Sequence, residues 1–235
     1  MRTNLSSQIS LNRVSTRYYK PENTIERSVL TRFEKIPTNI YETVDEGVSC
    51  IADEIIRKVQ ERQRDGKFCT IAAGTGASLR PLFAELVRRH KEEGVSFRNV
   101  VVFNLYEYYP LTEPNNSSFN QLNELFLKQV DIDPQNVFTL NGTIPQEAVI
   151  EYCRLYEQRI QTFGGMDIIL MGIGREGNIA MNEPGSSLSS PTRLILIDST
   201  SRAEAAHNLG VDNLPPCSIT MGVATIMAAR KVYLL

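Results

Sequence analysis

Residues 164–184 read Gly-Gly-Met-Asp-Ile-Ile-Leu-Met-Gly-Ile-Gly-Arg-Glu-Gly-Asn-Ile-Ala-Met-Asn-Glu-Pro, and this stretch indicates the fold. An apolar run from Ile168 to Met171 ends at Gly172 and is followed by a polar loop. A run of this kind, bounded by glycines, is typical of a buried parallel strand. Ligands of open α/β sheets bind at the carboxyl ends of the strands, so we expect the loop after Met171 to line a site. A polar turn without a function is the alternative.

Short apolar runs alternate with helical patterns along the rest of the chain. Strands are predicted at residues 68–73, 100–103, 168–171, 194–197 and from 231 onward, and helices at 43–65, 79–91, 119–130, 148–163 and 223–229. Ser78 is predicted to cap the second of these helices. Alternation at this spacing predicts βαβ units, and therefore an α/β fold with a mainly parallel, doubly wound sheet.

Composition narrows the class of protein. The chain has 235 residues and a net charge of −2, with Lys+Arg 25 against Asp+Glu 27, which argues against a nucleic-acid partner. Its four cysteines form no CxxC pair and lie near no histidine at ligand spacing, so we expect reduced thiols and no metal site. The chain shows neither a signal peptide nor a segment that could cross a membrane, which predicts a cytoplasmic protein.

The two ends of the chain differ from its centre. Residues 1–36 are polar and are predicted to form an N-terminal extension, which leaves residues 37–235 as one α/β domain. The sequence stops at Leu235, inside an apolar run that resembles the start of a strand. We therefore expect the domain to be truncated at its C-terminus and to be a piece of a longer protein.

The loop at residues 73–78, Ala-Gly-Thr-Gly-Ala-Ser, connects the first predicted strand to a helix. Small residues let the backbone approach a ligand closely, and the free N–H groups at the start of a helix favour an anion. The hydroxyls of Thr75 and Ser78 add two donors. The loop is a candidate phosphate site, although the same residues suit any tight turn and match neither a Walker A nor a GxGxxG motif.

Two further loops carry acidic and amide side chains at strand ends. Residues 104–118 follow the second strand and include Glu107, whose pKa would be shifted if its side chain were buried; a solvated Glu107 is the alternative. The loop after Met171 carries Glu176, Asn178, Asn182 and Glu183. Because the carboxyl ends of parallel strands meet at one edge of a sheet, we expect the three loops to share a pocket.

Taken together, these loops resemble the glucosamine-6-phosphate deaminase (isomerase) family. That family has a Thr-Gly-rich phosphate loop, an Asp-Glu-Tyr segment and the motif Gly-x-Gly-x-Asp-Gly-His-Ile-Ala-Phe-Asn-Glu-Pro. This chain has Tyr106-Glu107-Tyr108 at the second and Gly-Ile-Gly-Arg-Glu-Gly-Asn-Ile-Ala-Met-Asn-Glu-Pro at residues 172–184. The match covers residues 37–235 and includes Asn141-Gly142, Thr192-Arg193, Ser201-Arg202 and Thr220-Met-Gly-Val-Ala-Thr225.

The resemblance implies a Rossmann-like three-layer α/β/α fold and a small-molecule sugar phosphate as ligand. It implies that the phosphate is held by Thr75, Gly76, Ala77, Ser78 and His207, the last of which aligns with an Arg of the family. The family reaction opens the ring of glucosamine 6-phosphate, moves a proton from C2 toward C1, and releases ammonia to leave fructose 6-phosphate. It uses no metal and no organic cofactor, but it requires a base near C2 and a proton shuttle at the ring oxygen.

The chain departs from the family at the catalytic positions. Tyr106 stands where the family has its Asp base, and a phenol with an unperturbed pKa near ~10 is protonated at neutral pH. Asn178 stands where the family has its ring-opening His, and an amide cannot titrate. Glu176 replaces an Asp, while Glu183, which orients that His in the family, is retained. The candidate catalytic residues are these four and Glu107, which makes five.

Three functions are considered for these residues, and the first is favoured. An aminosugar-phosphate isomerase or deaminase would use Glu107 or Glu176 as its base, if burial raised the pKa toward neutrality. A catalytically impaired domain of a larger protein would instead sense a sugar phosphate or serve as a scaffold. A third function is that of a sugar-lactone hydrolase, because phosphogluconolactonases share the fold, but the Asn-Glu-Pro motif favours the deaminase branch. The resemblance leaves self-association into a homo-oligomer open.

Overall fold

The computed structural model describes residues 23–32 and 36–235. The predicted N-terminal extension therefore lies mainly outside the described residues. The chain separates into two units, with the boundary between Gly47 and Val48. In the first unit a helix begins after Asn23, whose side chain accepts a hydrogen bond of 2.9 Å from the N–H of Glu26. The second unit carries the candidate site.

The elements alternate much as the sequence predicts. The α-helices of the described residues are α1 (Thr24–Thr31), α2 (Val44–Arg64), α3 (Arg80–Glu93), α4 (Ser118–Leu125), α5 (Val149–Thr162), α6 (Ser199–Leu209) and α7 (Val223–Met227). The strands are β1 (Cys69–Ala73), β2 (Val100–Asn104), β3 (Tyr106–Tyr109), β4 (Val137–Phe138), β5 (Ile168–Met171), β6 (Arg193–Leu196), β7 (Cys217–Thr220) and β8 (Lys231–Leu234). No helix among the described residues combines the length and the apolar character needed to span a bilayer.

Five strands form a parallel sheet in the order β4-β2-β1-β5-β8, which confirms the predicted α/β fold. Ile71 of β1 lies opposite Val102 of β2 on one side and Ile168 of β5 on the other. On one side of β1 the sheet continues with β2 and then β4, and on the other side it continues with β5 and then β8. The order thus reverses between β1 and β5, and such a switch point opens a crevice for ligands at the carboxyl ends of the two strands.

Helices cover both faces of this sheet. Ile71 and Ala73 pack into a core that contains Phe83 of α3, whereas Ala72 packs into a second core that contains Tyr156 of α5. The alternation follows from the two-residue period of a strand, and it makes the domain a three-layer α/β/α structure. Phe83 is 1% exposed, and the burial of a side chain of this size contributes about 1.5–3 kcal/mol.

A second sheet corrects two of the predictions. Its strands run antiparallel in the order β3-β7-β6. Residues 104–118 were predicted as one loop, but β3 lies within them, because alternating aromatic residues fit a pleated, half-buried surface. Residues 194–197 were predicted to join the parallel sheet, but Leu194 pairs with Ile219 of β7 instead.

The start of α3 also differs from its prediction. A 3₁₀ turn at Ala77–Leu79 precedes the helix, and Leu79 occupies the N-cap position without a side-chain hydrogen bond. The prediction that Ser78 caps the helix is therefore wrong, because Ser78 lies inside the 3₁₀ turn. The predicted helix at residues 119–130 likewise ends early, at Leu125, and a 3₁₀ turn at Leu127–Gln129 follows it.

The amino end of the parallel sheet is closed by a buried ion pair. Asp167, which is 2% exposed, accepts hydrogen bonds from the Arg62 side chain, including Nε at 3.1 Å, and from the N–H of Thr70 at 3.1 Å. Burial alone would raise the pKa of Asp167, but these hydrogen bonds outweigh it and hold the pKa below its usual range. The ion pair ties α2 to β1 and β5, at the end of the sheet away from the switch-point crevice.

We expect Asp167→Asn to lower the free energy of unfolding at pH 7 by about 1.5–3 kcal/mol, the range for hydrogen bonds to charged groups. The folded-state pKa lies below the unfolded value of ~3.9, so the stabilisation is present above that pH and is lost as the pH falls through the folded-state pKa. Urea unfolding should therefore show a smaller difference between wild type and variant at about pH 3 than at pH 7.

Asp65→Asn removes an exposed carboxylate just beyond the end of α2 and is the matched control. It should change the free energy of unfolding by less than about 0.5 kcal/mol at either pH. An effect of Asp167→Asn that is independent of pH would contradict a depressed pKa.

Candidate functional site

A cavity of about 290 Å³ lies at the switch point of the parallel sheet. It is bounded by the loops after β1 and β5, by β3 and by α6. Its lining includes residues 74–78, Arg80, Tyr106, Tyr108, residues 171–174, Asn178, Ser201, Glu204 and Ala205. The predicted gathering of strand ends at one pocket thus holds for the first and third loops, whereas the second loop contributes through the strand β3.

The predicted phosphate residues lie together in the cavity wall. Thr75, Gly76, Ala77 and Ser78 all line it. The Thr75 hydroxyl lies 3.1 Å from the phenol oxygen of Tyr106, so the loop is fixed against β3. Because the loop leads into helical backbone, its N–H groups favour an anion, and the exposed Ser78 hydroxyl is a donor beside them.

A glycine lets the first and third loops approach each other. A Cβ atom added to Gly172 would lie 3.0 Å from the Ser78 Oγ, which is closer than nine in ten real Cβ contacts. The same atom would lie 3.6 Å from the backbone oxygen of Leu235. Gly172 therefore leaves the room in which the Ser78 hydroxyl sits.

Tyr106 lines the cavity as a protonated phenol. Burial raises its pKa, and the hydrogen bond to Thr75 lowers it only part of the way back. A phenol whose pKa lies above ~10 can donate and accept hydrogen bonds at neutral pH, but it is a poor base. The prediction from sequence placed Tyr106 at the position of the family's base, and the structure places it in the cavity.

Asn178 also lines the cavity, in the loop after β5. Its amide nitrogen donates to the backbone oxygen of Ala180 at 3.4 Å. A Cβ atom on Gly174 would lie 2.0 Å from the Asn178 Oδ1, so any side chain at position 174 would displace this amide. Asn178 can hydrogen-bond to a ligand but cannot carry a proton to or from it.

Glu107 does not line this cavity, contrary to the expectation that the three loops place it there. Its neighbours Tyr106 and Tyr108 do, and because successive side chains of a strand point to opposite faces, Glu107 points away. It is 1% exposed, and its carboxylate accepts from the N–H of Tyr108 at 2.9 Å and that of Ser118 at 2.8 Å. It also accepts from the Ser117 hydroxyl at 2.7 Å.

These hydrogen bonds make Glu107 part of the connection between β3 and α4. A fourth donor, the N–H of Phe119, lies 3.1 Å from its carboxylate. Burial raises the pKa of Glu107, and the four hydrogen bonds lower it part of the way back. Because its carboxylate binds these donors and lies on the face of β3 away from the cavity, Glu107 does not contact a ligand bound there.

Three other predicted residues lie outside the cavity lining. Glu176 and His207 are exposed and contribute no wall. Glu183 stands behind the wall, where its carboxylate accepts from the Ser201 hydroxyl at 3.3 Å and from the N–H of Asp198 at 3.4 Å. The expectation that His207 holds the phosphate is not met in this geometry, because it is Ser201, Glu204 and Ala205 of α6 that face the cavity.

The structure adds two charged residues that the sequence analysis missed. Arg80 is the first residue of α3 and lines the cavity two residues after Ser78. Glu204 lines it from α6, a helix that was not predicted. The proximity of Arg80 to the phosphate loop in sequence could have identified it, whereas Glu204 gives no local signal. Within residues 23–32 and 36–235, no group of three His, Cys, Asp or Glu side chains could hold a metal ion.

Residues 42–235 match the family described as glucosamine-6-phosphate isomerases/6-phosphogluconolactonase. The chain belongs to this family. Over 199 residues it is 36% identical to the glucosamine-6-phosphate deaminase of Dictyostelium discoideum, with 80% of the chain and 74% of that relative covered. A glucosamine-6-phosphate deaminase-like protein of Bacteroides thetaiotaomicron is 62% identical over 237 residues. That alignment covers 100% of this chain but 36% of the relative, so the chain matches about a third of that protein's length.

Two solved structures resemble the fold of this chain. A monomeric glucosamine-6-phosphate deaminase superimposes with a TM-score of 0.74 at 30% identity, covering 83% of this chain and 79% of that one. The 6-phosphogluconolactonase of Trypanosoma brucei superimposes with a TM-score of 0.64 at 19% identity, covering 85% of this chain and 81% of that one. At that identity the second likeness shows the fold alone.

Proposed function

We propose that this domain binds a phosphorylated aminosugar, with glucosamine 6-phosphate as the expected ligand, and that the deaminase chemistry is strongly reduced in it. One observation carries the proposal. A single cavity combines the phosphate loop with Tyr106 and Asn178, at the two positions where the family resemblance implies a base and a proton shuttle.

The phosphate end of the ligand would bind at the loop after β1. The hydroxyls of Thr75 and Ser78 and the backbone N–H groups of the loop supply donors, and the start of the helical backbone favours negative charge. Arg80, two residues after Ser78, also lines the cavity, and a guanidinium matches a phosphate in geometry as well as in charge. A phosphate would therefore anchor the sugar with its ring toward β3.

The ring end of the ligand would meet groups that can hydrogen-bond to it but supply neither an effective base nor a titrating proton shuttle. The Tyr106 phenol is protonated and the Asn178 amide does not titrate. Loss of one well-placed acid or base lowers the rate by ~10²–10⁴. Glu107 and Glu176, the two carboxylates that could replace the base, do not line the cavity.

Calorimetry with glucosamine 6-phosphate, run beside a coupled assay for ammonia and fructose 6-phosphate, tests the proposal. We expect binding, with turnover at least ~10²-fold below that of a family deaminase assayed in parallel. Absence of binding would contradict the sugar-phosphate site. Binding with turnover equal to that of the deaminase would contradict the reduced chemistry and favour the enzyme hypothesis, which the relatives' names support.

We expect Ser78→Ala to weaken the binding of glucosamine 6-phosphate by about tenfold or more, because a hydrogen bond to a charged group is worth ~1.5–3 kcal/mol. Calorimetry on the purified variant measures the effect. Ser199→Ala removes a hydroxyl from an exposed residue of α6 that does not line the cavity, and should leave the affinity unchanged. Equal affinities of the Ser78 variant and wild type would place the phosphate elsewhere.

A further inference from the structure

Helix α6 presents a carboxylate to the cavity. Ser201, Glu204 and Ala205 line it, and their spacing puts them on one face of the helix. Glu204 is half-buried at this position. Within the residues that the structure describes, its carboxylate forms neither a hydrogen bond nor an ion pair. A carboxylate that is partly removed from water gains from a cationic partner, because desolvation otherwise penalises its charge.

The cavity lining has one positive and one negative side chain, and they belong to different helices. Arg80 and Glu204 are the charged side chains among the lining residues. Burial raises the pKa of Tyr106 and, to a greater degree, that of Tyr108, so both phenols are neutral. Arg80 belongs to the helix that follows the phosphate loop, whereas Glu204 belongs to α6. The cavity thus joins an anion-binding loop to a carboxylate on a different element.

We infer that Glu204 selects ligands that carry a cationic amino group as well as a phosphate. A zwitterionic sugar phosphate satisfies both charges at once, with its phosphate at the loop and its ammonium group on Glu204. A phosphate ester with a hydroxyl or an acetamido group in place of the amine leaves the carboxylate unpaired next to an anionic ligand. The inference rests on the proposed function, since it assigns a specificity residue to the same cavity.

Calorimetry with glucosamine 6-phosphate and glucose 6-phosphate on wild type and on Glu204→Gln tests this role. Wild type should prefer the aminosugar by about tenfold or more, the range of one charge-assisted hydrogen bond. Glu204→Gln should bind the two ligands with similar affinity. The change should come from weaker binding of the aminosugar, while glucose 6-phosphate binds equally well or more tightly, because a repulsive charge has been removed.

Two further variants separate this role from a general loss of charge or of fold. Glu147→Gln removes the same charge from an exposed residue outside the cavity and should keep the wild-type preference. Glu204→Asp retains the carboxylate and should keep part of the preference. If Glu204→Gln does not fold, a reduced preference for the aminosugar in Glu204→Asp tests the role of the carboxylate instead.

The outcomes distinguish this inference from the proposed function. If the preference persists in Glu204→Gln, or if wild type binds both ligands alike, the assignment of Glu204 is overturned while the sugar-phosphate site stands. If wild type binds neither ligand, the proposed function fails and the inference fails with it.

Discussion

Replacement of Tyr106 by Asp together with Asn178 by His is expected to raise the rate of ammonia release from glucosamine 6-phosphate by about 10²–10⁴-fold over wild type. Both side chains line the cavity, so the new groups would face a bound sugar. The carboxylate of Asp is ionised at neutral pH, and the unperturbed pKa of an imidazole lies close to neutral pH. Steady-state kinetics of Tyr106→Asp/Asn178→His in the coupled assay measure the gain.

The two substitutions act in one sequence of proton transfers, so each alone should yield much less than the pair. Tyr106→Asn with Asn178→His is the matched control, because Asn has the size of Asp without its charge. Calorimetry on all variants must show that glucosamine 6-phosphate still binds. If the double variant binds the ligand but gains no turnover, the missing chemistry is not confined to these two positions.

The phosphate loop and the loop after β5 could be predicted from the sequence because their positions follow from strand direction. An apolar run that ends in glycine defines a strand end, and parallel strands end at a common edge. The reversal of strand order between β1 and β5 then brings residues 74–78 and 172–174 to one cavity. Neither step requires knowledge of side-chain packing, and both predictions hold.

The position of Glu107 could have been derived, but only from a correct secondary structure. Once residues 106–109 are recognised as a strand, its two-residue period places Glu107 opposite the face shared by Tyr106 and Tyr108. In a loop no such constraint exists, which is why the prediction of a loop placed this carboxylate at the site. The aromatic residues that define the strand were also those that resembled the family's catalytic segment.

Glu204 could not be found in this way. Helix α6 contains Ala203, Ala205 and Ala206 and lacks the stripe of large apolar side chains that marks an amphipathic helix. It is held in place by tertiary packing, in which Ala206 contacts a cluster that includes Tyr108 and Met181. A helix defined by its neighbours gives no periodic signal, and its cavity-facing residues become visible only in the folded structure.

Glu107→Ala is expected to lower the free energy of unfolding by more than about 3 kcal/mol, because each buried donor left without a partner costs ~1–3 kcal/mol. Four donors would lose their acceptor, among them the N–H groups of Ser118 and Phe119 at the start of α4. Loss of these bonds would release the start of α4 from β3. Urea unfolding at neutral pH measures the change.

Glu124→Ala is the matched control, since Glu124 belongs to the same helix but is exposed and pairs with Lys128 at its surface. An exposed pair contributes ~0.2–1 kcal/mol, so this variant should unfold close to wild type. A base that acts in the cavity would give the opposite pattern for Glu107, with stability retained and turnover lost. Preserved stability in Glu107→Ala would therefore contradict the structural role, because a carboxylate enclosed by four donors cannot be removed without disturbing the strand and helix it connects.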